Sequence, residues 1–215
     1  MPSSSVDVCE LPLFPLPEVV LFPGRPLPLH IFEYRYRMML NTILETDRRF
    51  GVLMFDPQKG SPVQVGCCAE VVQVQRLPDD RMDIMTVGRQ RFRVLDYVRE
   101  KPFRIGLVEW IEDEPPQGDL QDLVAQVSTL LQEVVRLSSK LMEREAALPD
   151  SLPTDPVELS YWVASHFHGA PRDQQALLEM VSTEARLRRE AEILESACKH
   201  LAARTALKDL FSKSS

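Results

Sequence analysis

The sequence predicts an α+β fold: a strand-rich first half that closes into a barrel, followed by a bundle of helices. Three observations point there. Before "EDEPPQGD" (112–119), short apolar segments are broken by Pro, Gly and Asp pairs. After it, apolar residues recur at helical spacing. Between the two lie the breakers Pro115, Pro116 and Gly118, so the expected domains are 1–115 and 116–215.

The first element is "LPLFPLPEVVLFPGRPLPLHIF" (11–32). Its prolines fit strand starts, edges and bulges, where no ladder donor is lost. "LPLFPL" reads as an extended or edge segment, "VVLF" as a core strand, "PGRP" as a turn and "LPLHIF" as the return into the barrel. A helix over 34–46 follows, with Tyr36, Met39, Leu40, Ile43 and Leu44 on one stripe and Glu33 as its cap. "GVLMF" (51–55) is a short strand ended by Asp56-Pro57, and "PVQVGCCAEVVQVQRL" (62–77) is a strand bulged at Gly66. "PDD" (78–80) turns the chain into "RMDIMTVG" (81–88) as a hairpin. "RFRVLDYV" (91–98) sets Phe92, Val94 and Asp96 on one side and Arg91, Arg93 and Leu95 on the other. "FRIGLVEWI" (103–111) ends the series. Short strands at even spacing favour a closed or half-closed barrel, because closure removes exposed edges.

In the second half, Leu120, Leu123, Val124, Val127, Leu130, Leu131, Val134, Leu137 and Leu141 keep one apolar face, which implies packing along the whole helix. The next helix starts with Asp155 as N-cap, Pro156 at its first position and Glu158 three residues after the cap. Gly169 stops it, with Pro171 beyond. A short helix covers 172–181, and Ser182 caps a last long one striped by Leu187, Ala191, Leu194, Cys198, Leu201 and Leu207. Short connections make these a bundle.

Composition narrows the function. The chain is 44% hydrophobic and 27% charged, with mean hydropathy -0.16 and no apolar run long enough to span a bilayer. "MPSSSVDVCE" has neither a secretory nor a transit-peptide pattern, so a cytoplasmic protein is expected. Four cysteines without a CxxC pair read as buried or idle thiols. The net charge of -7, spread over both halves, argues against nucleic acid and acidic lipid as partners. No GxxxxGK[ST], GxGxxG or GxSxG occurs. His166 and His168 lie two apart at a helix end with no Cys/His set, so no metal, cofactor or catalytic residue is expected. The acidic clusters fall in turns. Arg89, Arg91 and Arg93 read as the wet face of a strand and as candidates for contact with an anion or acidic peptide.

Three blocks carry a resemblance to a known family: "LPLFPLPEVVLFPGRPLPLHIFEYRYRMM", then "VGCCAEVVQVQRLPDDRMDIMTVGRQRFRV", then "LSYWVASHFHGAPRDQQALLEMVSTEARLRREAEIL". In that order, and over about residues 10 to 200, they resemble the amino-terminal, substrate-binding domain of Lon protease. The second block matches the family signature T-x-G-x-x-R-F at Thr86, Gly88, Arg91 and Phe92. One departure is Tyr34, where relatives often carry proline after "IFE". The resemblance implies a six-stranded, PUA-like pseudo-barrel with one helix and then a helical bundle. It also implies a role in recognising protein substrates, without the ATPase or Ser-Lys peptidase domains.

The expected function is therefore a non-enzymatic polypeptide-binding module, acting as an adaptor or weak chaperone on unfolded or misfolded chains. A separate ATP-dependent protease is a further expected partner. Adaptable apolar side chains suit such a surface, and Phe32, Tyr34, Met38, Met54 and Phe55 are its candidates. Two alternatives stand beside it. One is a nucleic-acid or nucleotide reader using the three arginines. The other is a scaffold that docks a single partner protease through its long helices.

Overall fold

A computed structural model describes residues 8–142, 148–149 and 152–212. The strands are β1 (Val8–Pro17), β2 (Pro26–Ile31), β3 (Arg49–Asp56), β4 (Ser61–Pro62), β5 (Val65–Arg76), β6 (Met82–Arg99) and β7 (Arg104–Ile111). The helices are α1 (Tyr34–Leu44), α2 (Gln121–Met142), α3 (Pro156–Ser165), α4 (Pro171–Glu179) and α5 (Thr183–Ser212). They form two compact units, Met1–Glu112 with Ala164–Val181 and Asp113–Val163 with Ser182–Ser215. The helical half is thus not one continuous unit beyond residue 115: the stretch around α4 returns to the barrel.

Two buried side chains explain that return. The Arg91 guanidinium, 2% exposed, donates to the Leu178 and Met180 carbonyls at 2.7 Å each, and these oxygens end α4. The Gln175 amide donates to the Val65 carbonyl at 3.0 Å. Alternation alone puts Arg91 on the wet face. The structure buries it because a second layer, supplied by α4, covers that side of the strand.

In the first unit, five strands form a ring in the order β1–β7–β6–β5–β3, and parallel pairing of β3 with β1 closes it. The other ring pairings are antiparallel. β2 adds to the first half of β6, giving the six expected strands, and the two-residue β4 adds to the end of β3. Phe92, with Leu11, Leu13, Leu53 and Val108, makes one buried cluster. Gly66 makes room for it: a Cβ there would lie 2.9 Å from Phe92 Cζ and 2.2 Å from the Val52 carbonyl. A second cluster packs Tyr36, Met39, Leu40 and Ile43 of α1 onto Phe14, Phe50, Val71 and Ile84 of the sheet.

Several local expectations shift. "VVLF" is not a strand: Glu18 (φ 55°) takes the chain out of β1, and Leu21 and Phe22 reach the core from an irregular segment. The strand is the preceding "LPLFPL". The two strands read at 81–88 and 91–98 are one, β6, because Arg89 and Gln90 form only a bulge opposite Cys68 and the pairing with β5 resumes at Arg91. The irregularity expected at Gly66 lies between Cys67 and Ala69, opposite Arg91 and Gly88, where β6 carries the extra residue. Asp96 faces solvent, since the register shifts again between Val94 and Asp96. α1 ends at Leu44, and Glu33 leads it through its carbonyl while its carboxylate pairs with Arg35 at 2.8 Å.

The T-x-G-x-x-R-F signature is scaffolding. Thr86 is fully buried and donates to the Leu27 carbonyl at 2.8 Å. A side chain on Gly88 would place Cβ 2.1 Å from the Phe22 carbonyl, so only glycine lets the loop close on β6. Arg91 holds α4, and Phe92 fills the barrel.

The second unit pairs α2 with α5 along their length, with most of α3. Asp155 caps α3 as expected, accepting from the Val157 and Glu158 amides at 3.0 and 2.9 Å. Ser182 accepts from the Ala185 amide at 3.2 Å at the start of α5. Asp113 is the polar centre: it binds the fully buried Arg186 at 2.6 Å and accepts from Tyr161 and Thr183. Arg186 also donates to Ser160 at 2.8 Å and stacks 4.2 Å from the Tyr161 ring. Among the described residues no helix is long and apolar enough to cross a membrane.

One turn along α5, Glu190 is fully buried, and neither carboxylate oxygen has a hydrogen-bond partner. Burial pushes its pKa well above the usual carboxylate value, and the nearby Arg186 offsets this only in part.

Two predictions follow from these placements. The Glu190 pKa is raised in the folded state over an unfolded value of about 4.3. Its contribution to stability is therefore full below the unfolded pKa and is lost as pH rises through the folded one. Glu190→Met should stabilise the protein by about 2 kcal/mol at neutral pH and flatten that dependence in urea titrations; an unchanged slope refutes the assignment. Arg91→Ala strips a charged donor from two buried carbonyls and should cost about 3 kcal/mol. Arg89→Ala and Arg93→Ala remove exposed ion pairs and should each cost under about 1 kcal/mol by the same measurement.

Candidate functional site

One large concavity opens in the first unit, a groove of about 1200 Å³ along the second half of β1. One wall is Leu13–Pro17, and the other is the β6–β7 turn from Glu100 to Arg104. The start of α1 and the end of β2 close one end through Leu29, His30, Phe32, Glu33, Arg35 and Tyr36; Phe55 of β3 also lines it.

Local sequence explains this opening. β1 pairs with β7 from Val8 to Leu13 and with β3 from Leu13 to Pro17, so it changes neighbour midway. Beyond the pair Leu13 and Arg104 the side of β1 facing away from β3 has no strand against it, and the groove occupies that gap. Aromatic rings line it: Phe14 and Tyr36 meet edge-on at 4.1 Å, with Phe32, Phe55 and Phe103 nearby in the lining. Phe32 is 61% exposed, a large apolar side chain held open to water. Burial raises the Tyr36 phenol pKa, against the opposing influence of Arg35, whose guanidinium lies 4.5 Å from the ring.

Charges on the rim have both signs. Arg35 is bound to Glu33 at 2.8 Å and His30 to Asp83 at 2.6 Å, while Glu100, Lys101 and Arg104 line the opposite wall. Such a rim attracts neither a polyanion nor a polycation strongly.

The structure brings two of the five apolar candidates, Phe32 and Phe55, into the groove. Tyr34 is 69% exposed just outside its lining. Met38 packs against the core beneath α1, and Met54 is buried, its strand position pointing it inward. Sequence reasoning missed the β1 wall and the turn Glu100–Arg104. Pro15, Pro17 and Pro102 were a signal for it, since none of them can donate to a neighbouring strand on the groove side.

The arginine candidates do not come together. Arg89 pairs with Glu70 at 2.8 Å, Arg93 pairs with Glu109 at 2.9 Å, and Arg91 lies inside the fold. Among the described residues no set of three His, Cys, Asp or Glu side chains is placed to hold a metal. Burial pushes the Cys67 thiol up strongly and that of Cys68 to about 12, which leaves both as unreactive thiols.

Comparison with known proteins gives a consistent result. Residues 10–196 match the family described as the ATP-dependent protease La (LON) substrate-binding domain. The chain is 28% identical over 189 residues to Lon protease of Syntrophus aciditrophicus, covering 83% of this chain and 24% of that one. It is 27% identical over 192 residues to Lon protease 2 of Myxococcus xanthus, covering 86% and 23%. The chain thus spans about a quarter of the length of these relatives. Among solved structures, the Lon N-terminal domain protein from Xanthomonas campestris aligns with a TM-score of 0.63 at 23% identity, over 84% of this chain and 96% of that one. The N-terminal domain of Mycobacterium avium complex Lon protease aligns at 0.65 and 16% identity, over 89% and 98%.

Proposed function

The chain belongs to the LON substrate-binding domain family, and from that premise we propose that it binds other polypeptides, holding extended apolar segments in the groove along β1. In this reading it acts in protein quality control as an adaptor or weak chaperone and has no catalytic step of its own. A separate ATP-dependent protease would act on what it holds.

The observation that carries the reading is the groove itself. It is larger than a typical small-molecule pocket of about 300–1000 Å³ and is partly open to solvent, so it has room for a stretch of chain. Its floor is aromatic and aliphatic, and Phe32 stands at its edge with most of its surface in water. Burying such a ring against a client side chain contributes about 1.5–3 kcal/mol, enough for weak, reversible capture when two or three side chains engage. The mixed rim leaves the choice of client to apolar content rather than net charge.

Phe32→Ser is expected to weaken binding to apolar peptides about tenfold while leaving thermal stability unchanged, because the side chain is mostly exposed. Leu95→Ser, at an exposed apolar residue that is not among the groove lining, serves as the control and should bind normally. Fluorescence anisotropy against members of a peptide array measures both. Absence of any peptide binding, or equal binding by the two variants, would count against the proposal. Crosslinking from native cells then separates the finer roles: one stoichiometric partner marks an adaptor, a broad unfolded set a chaperone.

A further inference from the structure

Successive backbone N–H groups point to opposite sides of a strand. The Glu18 N–H donates to the Phe55 carbonyl at 3.5 Å, so the even positions of β1 face β3 and the odd positions face away from it. On the far side the register with β7 runs to Leu13 and Arg104 and stops. One more step of the same parity would set Pro15 against Pro102, and neither residue has an N–H. Pro17 follows at the next odd position. Past Leu13 the groove edge of β1 therefore presents the carbonyls of Pro15 and Pro17 and no donor. Pro12 has a different setting: its missing N–H would point toward β3, whose pairing begins only at Leu13.

We propose that Pro15 and Pro17 determine how the groove reads a polypeptide: by its side chains, and not by adding it to the sheet as another strand. This rests on the polypeptide-binding reading above. Strand addition draws its affinity from reciprocal N–H···O bonds along an open edge. At this edge the chain's own N–H contribution is removed covalently, so an incoming strand would leave its carbonyls unmatched. What remains is burial against Phe14, Phe32, Tyr36, Phe55 and Phe103. The ligand class is then an extended segment of high apolar content whose backbone carbonyls find no donor at this edge. The same prolines keep an otherwise open edge from pairing with a second chain.

The test uses the full-length chain and a fluorescent peptide rich in aromatic residues that binds it. A second peptide has the same sequence, with thioamides at alternate peptide bonds, so that weakly accepting sulfur replaces the carbonyl oxygen there. With the native chain the two affinities should agree within about threefold. Pro15→Ala/Pro17→Ala restores two donors, and two backbone hydrogen bonds correspond to about tenfold tighter binding of the all-oxygen peptide alone. The inference is overturned if the thioamides weaken binding to the native chain by more than about tenfold, or if the variant treats both peptides as the native chain does. Should the variant not fold, the native-chain comparison decides by itself. No binding of either peptide to the native chain defeats the polypeptide-binding reading and this inference with it. Binding that collapses on thioamide substitution defeats this inference only.

Discussion

The first unit depends on how β1 closes the ring. A single strand must satisfy β7 on one side and β3 on the other, and it does so in succession, with Leu13 shared by both registers. That stagger is what lets five strands of unequal length meet without an added connection, as strand tilt and shear do in any small barrel. It has a geometric cost: the second half of β1 keeps one edge uncovered. Leu13 lies fully buried at the changeover, so the uncovered edge begins next to a residue of the buried cluster around Phe92. An open edge at such a place is either a hazard or a binding surface, and the prolines there bear on which.

The residues of the T-x-G-x-x-R-F signature act away from the groove. Thr86, Gly88, Arg91 and Phe92 tie the loop after β1 to β6, hold α4 against the barrel and fill its interior. Each meets a requirement with few chemical solutions: a close backbone approach that excludes Cβ, two buried carbonyls that need one forked donor, a cavity shaped for a ring. The groove-lining side chains meet a looser requirement, since any apolar residue of suitable size maintains the surface. The signature is therefore informative about the frame and not about the groove.

The same contrast explains what was legible in the sequence. The α1 and α2 stripes, the Asp155 cap and the Gly24 turn are local signals, and the structure bears each of them in its place, whereas Leu207 at the end of the α5 stripe is exposed. Arg91 misleads because alternation describes a strand with one wet face, and nothing local says that α4, almost ninety residues later, covers the other. "VVLF" misleads in the opposite sense: its β-branched and aromatic residues suit a strand, but the positive φ of Glu18 has already ended the ladder. Met54 and Phe55, adjacent in sequence, go to opposite fates because a strand alternates, one into the core and the other to the groove. The groove could not be read directly, since it lies between a strand and a turn that are far apart in sequence.

Prolines link these points. In the opening stretch they look like a bar to sheet structure, yet β1 forms through three of them because each falls where no donor is required. The same chemistry that permits the strand also prevents its free half from being extended: β7 cannot continue past Arg104, because the next reciprocal pair would be Pro15 with Pro102. The concavity lies between walls whose next facing positions, Pro15 and Pro102, carry no N–H, and aromatic side chains line it. Such a groove is preformed, which under the proposed function suits reversible binding better than a site that must be assembled by each ligand.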